Sequence, residues 1–173
     1  MTARTLVLLR HAKAERPGDD QPDFDRRLTA AGEADADAAG AWLADERIQP
    51  ELVFCSPAAR TRQTWHGVAV ALEQARPGSK LPEVRYEKSL YEGGRTEVFD
   101  LLRTVPDSVR TVMVVGHNPT VSEVSLLLIP DAQWDGQEVG LKTAGLAVHR
   151  ADHSWATTEP GSMRLIERHT ARG

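Results

Sequence analysis

Three short apolar runs constrain the fold of this chain more than any other feature: TLVLL (5–9), ELVFC (51–55) and TVMVV (111–115). Each is continuous rather than alternating, so a strand formed there must be covered on both faces. The segments between them carry apolar residues at helical spacing. Residues 29–47 place Ala34, Ala38, Ala41 or Trp42, and Leu43 on one stripe, with Thr29 as N-cap. Trp65, Val68, Ala69 and Leu72 repeat the pattern over 57–75, Val98, Leu101, Leu102 and Val105 over 96–105, and Val121, Val124, Leu127 and Leu128 over 119–129. Strand and helix alternate, which predicts a three-layer α/β/α sandwich with a mainly parallel central sheet and TLVLL as its central strand. The C-terminal part differs. GLAVHR (145–150), SWATT (154–158) and MRLIERH (163–169) read as short strands forming a hairpin-like edge, with turns at Asp152–His153 and Pro160–Gly161.

At 173 residues the chain is expected to form one domain over 1–173, burying roughly 70% of its unfolded surface without a disulfide or metal staple. Its single cysteine, Cys55, excludes an internal disulfide and a cysteine-rich zinc site. Net charge is −4, which argues against a general nucleic-acid binder. No run approaches the ~18 apolar residues of a membrane span, and the first apolar run is too short for a signal-peptide core. The expected setting is the cytoplasm, and the expected state is a monomer.

Each apolar run stops at polar, chemically capable residues. The first ends in Arg10–His11, the second in SPAARTRQT (56–64) and the third in GHNPT (116–120). In an open α/β sheet ligands bind outside the carboxyl ends of the strands, so these segments should converge on one crevice. Ser56–Pro57 and Asn118–Pro119 each read as an N-cap followed by proline at the first helical position, which would aim free backbone N–H groups at that crevice. Arg10, Arg60, Arg62 and His117 would add positive charge. A crevice of this kind suits phosphate.

The usual nucleotide devices are missing: there is no G-x-x-x-x-G-K-[ST] and no G-x-G-x-x-G, and neither H-E-x-x-H nor C-x-x-C occurs. What remains is a histidine that can itself attack phosphorus, provided one ring nitrogen is free and the ring is neutral. Neighbouring arginines favour the neutral ring and can grip the oxygens of the transferring group. No metal or other cofactor is then required.

LLRHAKAE, SPAARTRQT and VVGHNP together resemble the histidine phosphatase superfamily, with its phosphoglycerate mutase-like fold. The nearest branch is the short SixA-like phosphohistidine phosphatases, whose D-x-x-R-P-L-T-x-x-G element is similar to DFDRRLTAAG (23–32). The resemblance implies that His11 is the phosphoryl acceptor, that Arg10, Arg60 and His117 bind the phosphate, and that His117 helps stabilise the transition state. Two positions depart from the pattern. Ala12 replaces the glycine of R-H-G, and Arg27 stands where the branch has proline.

Glu92, in SLYEGG (89–94), falls where superfamily members carry an acidic proton donor; it reads equally as a surface glutamate in a turn. Lys13, Arg62 and Asn118 are candidate substrate contacts, each also readable as a solvated charge or a cap. The acidic run GEADADAAG (32–40) reads as a solvated helix face, His169 as a surface histidine and Trp42 as core. The substrate implied is a phosphohistidine protein; small phosphate esters, with Glu92 as general acid, are the alternative. A phosphoglycerate-mutase-like transferase lacks the chain length for substrate-enclosing insertions, and a metallohydrolase built on His11 and His117 is poorly motivated. From outside enzymology, a phosphoprotein-binding module without turnover fits the same pocket. Specificity should reside in the Lys13–Asp25 loop and around Ser89–Arg95.

Overall fold

The computed structural model describes residues 2–173. In chain order the elements are β1 (Arg4–Arg10), α1 (Ala30–Asp45), β2 (Leu52–Cys55), α2 (Ala59–Ala75), β3 (Glu83–Tyr86), α3 (Ser89–Glu92), α4 (Arg95–Arg103), β4 (Thr111–Gly116), α5 (Thr120–Leu128), β5 (Gly145–Ala151) and β6 (Arg164–Thr170), with 3-10 turns at Asp23–Asp25 and Trp155–Thr157. The strands form one sheet in the order β3-β2-β4-β1-β5-β6. The first four are parallel, while β5 and β6 add an antiparallel hairpin-like edge.

The continuous apolar runs are explained by which face each residue serves. Val7, Leu9, Val53, Cys55, Met113 and Val115 pack under α1 and α2; Leu6, Leu8, Leu52, Phe54, Val112 and Val114 pack under α4 and α5. All four residues of Leu6–Leu9 are fully buried. At about 1.5–3 kcal/mol per buried aliphatic side chain, neither face of β1 can lose its apolar character cheaply. The sandwich therefore has three layers, with β1 between β4 and β5 near its centre.

Four local expectations need correction. The α1 stripe is rotated from the one expected: Gly32, Asp35, Ala36, Ala39, Gly40 and Leu43 are buried, while Ala41 is exposed and Ala34, Ala38 and Trp42 lie on the flanks. Glycines decide this. A Cβ at Gly40 would lie 2.6 Å from the Val68 carbonyl oxygen, and one at Gly67 would lie 2.8 Å from the Ala36 Cβ, so α1 and α2 meet almost backbone to backbone. Asp35 is consequently buried, where it accepts from the Gly173 amide at 3.0 Å and faces Arg172. Trp42 packs partly buried against the core and stacks on His169, ring centroids 4.6 Å apart, so His169 is not the free surface histidine expected.

SWATT is not a strand. Ser154 caps a 3-10 turn by accepting from the Ala156 amide, which drops Trp155 into the core with its indole N–H donating to Val109. Third, neither predicted N-cap holds. The cap of α2 is Ala58 and that of α5 is Pro119; Ser56 Oγ takes the Ala58 amide but also meets His117, and the Asn118 side chain bonds Leu141 and Ser122. Fourth, β3 and α3 lie where no element is expected. Thr29 does cap α1, accepting from the Gly32 amide at 2.9 Å. Among the described residues no helix is long and apolar enough to cross a membrane.

Candidate active site

Sheet register brings the three polar strand ends together. Arg10 pairs with Gly116 and Cys55 with Val115, so His11, Ser56 and His117 extend from strand ends at one level. The His11 amide donates to the Gly116 carbonyl and the Ser56 amide to the Val115 carbonyl, both at 3.0 Å, extending the ladder one residue into the site.

Arg10, His11, Lys13, Arg60, His117 and Asn118 line one cleft of about 330 Å³, together with Ala14, Arg26 and Thr143. His11 is 8% exposed. Its Nδ1 lies 2.7 Å from the Ala12 carbonyl oxygen. A carbonyl can only accept, so Nδ1 carries the hydrogen and Nε2 keeps its lone pair. The Ala12 amide is itself fixed, donating to Thr64 Oγ1 on α2 at 3.0 Å. Burial, the largest influence, lowers the His11 pKa to about 4; the charges of Arg60, Arg10 and Arg26 act the same way, opposed by the bond to Ala12.

The His117 ring sits 5.4 Å from that of His11, centroid to centroid. Its pKa is lowered to about 3, first by burial, then by Arg60 and His11. Its Nε2 is 2.7 Å from Ser56 Oγ. That hydroxyl also accepts from the Ala58 amide at 3.4 Å. His117 Nδ1, Arg10 Nε and Arg60 Nε are buried nitrogens without a hydrogen-bond partner among the described residues.

The arginines are held from behind. Arg10 donates to the Leu141 carbonyl, which also receives the Asn118 side-chain amide. Arg60 donates to the Asp23 backbone oxygen at 2.9 Å and to its carboxylate at 3.0 Å. That carboxylate also receives Arg26 Nε at 3.0 Å and the Tyr91 hydroxyl at 2.9 Å. Partial burial pushes the Asp23 carboxyl up, but hydrogen bonds from Tyr91 and Arg60 and the charges of Arg60 and Arg26 outweigh it, holding the group below the usual carboxylate range. Tyr91 in turn lies edge-on to both Phe24 and His117.

Two expected site residues stay outside. Glu92 is exposed at the end of α3 and pairs with Lys88 at 3.4 Å. Arg62 faces a separate groove between α1 and α2, as does Arg27. Sequence reasoning passed over Asp23, Arg26 and Tyr91. The fourth position of D-x-x-R marks Arg26, and the first marks Asp23, whereas Tyr91 lies in a stretch with no such signal. The rest of that element also has a physical reading. Thr29 caps α1, the buried Leu28 gives its amide to Gln63, and Gly32 brings α1 against Lys13.

An α/β/α sandwich that surrounds two neutral histidines with arginines at its strand ends defines a phosphate-handling enzyme. The chain belongs to the histidine phosphatase superfamily, whose branch 1 model matches residues 6–99, and is a hydrolase of the phosphatase class. It is 35% identical over 169 residues to the uncharacterized protein Rv1276c of Mycobacterium tuberculosis, covering 95% of this chain and 100% of the relative. A solved structure from Nakamurella multipartitia superposes with a TM-score of 0.84 at 31% identity, over 99% of this chain and 98% of that one. One from Agrobacterium tumefaciens gives 0.77 at 31% identity, over 96% and 97%. Both bear the name of the phosphohistidine phosphatase SixA. The sandwich matches the phosphoglycerate mutase-like fold that the sequence implied.

Proposed function

We propose that this phosphatase removes the phosphoryl group from protein phosphohistidine by way of a phosphoryl intermediate on His11. The observation that carries the reading is the state of His11: a neutral ring with Nε2 free, inside a cluster of guanidinium groups. Nε2 attacks phosphorus, the new N–P bond forms as the substrate's N–P bond breaks, and Arg10 and Arg60 take the charge on the equatorial oxygens. In this reading Ser56 Oγ donates to His117 Nε2, which leaves His117 Nδ1–H as a further donor for those oxygens. Water then attacks the phosphorylated His11; phosphate leaves and the neutral ring is restored.

The cleft's makeup supports a substrate that leaves without acid help. None of its lining residues is a carboxylic acid, and Glu92 is occupied with Lys88 at the surface. Expelling an alkoxide benefits from a general acid. A phosphohistidine ring protonated on its other nitrogen departs as neutral imidazole. Guanidinium groups supply the positive charge, so the proposed steps use no metal. Among the described residues no group of three or more His, Cys, Asp or Glu could hold a metal ion.

The test is a side-by-side panel of a phosphohistidine protein, an aryl phosphate and an alkyl phosphate, run with and without chelator. Turnover should resist chelation and favour the first two substrates, and His11→Ala should abolish both turnover and an acid-labile phosphoryl label. Activity surviving in His11→Ala removes the mechanism. Alkyl phosphates turned over as well as phosphohistidine, with Glu92→Gln damaging only the former, would instead establish the phosphomonoesterase reading. Tight phosphopeptide binding without product release would mark a binding module.

A further inference from the structure

We infer that the groove between α1 and α2 docks the polypeptide that flanks the phosphorylated residue of the substrate protein, an inference that rests on the phosphohistidine-protein reading above. The groove has a volume of about 870 Å³, against about 330 Å³ for the catalytic cleft, and opens beside it. Chain connectivity makes the two adjacent. Arg26 faces the cleft while its neighbours Asp25 and Arg27 face the groove, and Arg60 faces the cleft while Ala59 and Arg62 face the groove. A side chain seated in the small cleft must leave its own backbone outside, and the groove is the larger of these two neighbouring concavities.

The walls come from helical stripes. On α2, Arg62, His66 and Val70 recur at intervals of four residues, and on α1, Glu33 and Asp37 do the same. From Ala59 to Val70 the helix rises about 16 Å, which matches about five residues of extended chain. The depth comes from Gly67, where a Cβ would meet the Ala36 Cβ at 2.8 Å; the helices close together beneath the groove and leave space above.

Charge identifies the occupant. Asp25, Glu33 and Asp37 share the groove with Arg27 and Arg62, yet none of the five makes an ion pair among the described residues. Opposite charges that line one trough without pairing remain available to charges brought by a partner. Both signs are present, so the match is a polypeptide bearing acidic and basic side chains rather than a polyanion. Such contacts act on encounter and register more than on the chemical step.

Synthetic phosphohistidine peptides with Lys and Glu flanks, the same peptides with Ser and Gly flanks, free phosphohistidine and p-nitrophenyl phosphate provide the probes. The wild-type chain should prefer the charged peptide over free phosphohistidine. Reversing one groove charge of each sign, Asp37→Lys with Arg27→Glu, should lower kcat/KM for that peptide about fivefold, as two exposed charge pairs would. Turnover of p-nitrophenyl phosphate should stay unchanged. The neutral pair, Asp37→Ser with Arg27→Ser, should give an intermediate loss and decides the matter if the reversal impairs folding. Equal turnover of free phosphohistidine and all peptides, or peptide kcat/KM untouched by both variant pairs, overturns the groove alone. A wild-type chain that hydrolyses p-nitrophenyl phosphate but no phosphohistidine probe overturns the substrate reading, and the groove's role with it.

Discussion

A nucleophilic histidine must be unprotonated, and the geometry of the cleft makes a quantitative statement about when it is. The His11 pKa of about 4 lies well below the ordinary 6.5, chiefly because the ring is buried and secondarily because Arg60, Arg10 and Arg26 surround it. A displacement of that size corresponds to about 3 kcal/mol in favour of the neutral ring. At about pH 5 roughly nine in ten molecules would carry a neutral His11, whereas an ordinary histidine would be neutral in roughly one in thirty. The sign is fixed: nucleophilic capacity is present above the lowered pKa and is lost only as pH falls through about 4. Ring-proton NMR during an acid titration reads this directly, with His11→Gln and His117→Gln supplying the assignments. Two resonances should hold their neutral shifts to well below pH 6 and then move with midpoints near 4 and 3. Arg60→Met should raise the His11 midpoint without restoring the ordinary value, since burial is the larger cause. In rapid-quench experiments the wild-type phosphoryl-enzyme burst should persist at about pH 5 once the substrate's own ionisation near pH 6 is allowed for. A His11 midpoint at or above 6 would refute the argument that burial and arginines keep the ring neutral.

The same displacement should make the fold acid-sensitive. His11, His117 and the buried His149 all have lowered folded values, so the unfolded chain binds more protons between about pH 6.5 and 4 and stability falls as pH falls through that window, by roughly 2 kcal/mol per histidine at about pH 5. Denaturant melts of His149→Gln should show a shallower acid slope; an unchanged slope would clear His149 of any part in it. Asp23→Ala should reduce kcat/KM about tenfold or more by freeing Arg60 from its aim, while costing about 1 kcal/mol or less because the carboxylate is half exposed. A stability loss without a rate loss would show that Asp23 serves only the fold. Gly32→Ala would put a Cβ 2.1 Å from the Lys13 carbonyl oxygen, so α1 must shift; melts should show a loss of about 1–3 kcal/mol, and a neutral result would contradict the packing.

The parallel sheet was legible because its strands are covered on both faces, and Leu6–Leu9 can be read in no other way. The site was legible for a related reason: strands in parallel register deliver their carboxyl ends to one place, so Arg10–His11, Arg60 and His117 could be gathered from the chain alone. The edge strand β3 was not, because its residues are only partly buried and carry little periodic signal. The α1 stripe was misread since alanine fits either side of a helix, and only the close approach at Gly40 and Gly67 selects the buried one. Ser56 and Asn118 misled for a chemical reason. Asn118 spends its side chain on Leu141 and Ser122, and Ser56 Oγ, though it takes the Ala58 amide, lies ahead of the cap and also meets His117. Asp23 and Arg26 share the D-x-x-R spacing, but no spacing rule joins them to Arg60 and Tyr91, which reach the same carboxylate from two other segments.

One backbone oxygen has reach beyond its size. The Leu141 carbonyl receives Arg10 from the end of β1 and Asn118 from the end of β4, at 3.2 and 2.8 Å. The Leu141 amide, meanwhile, is pinned by Ser122 Oγ on α5 at 2.8 Å, and that same hydroxyl donates to Asn118. A cation and an amide on separate strands are thus referenced to a single peptide group, so any displacement there moves both together and keeps their spacing. The exposed segment before it, around Trp134 and Val139, can accumulate change while this anchor stays put. Tuning the proposed phosphate grip without disturbing its shape would begin at Leu141.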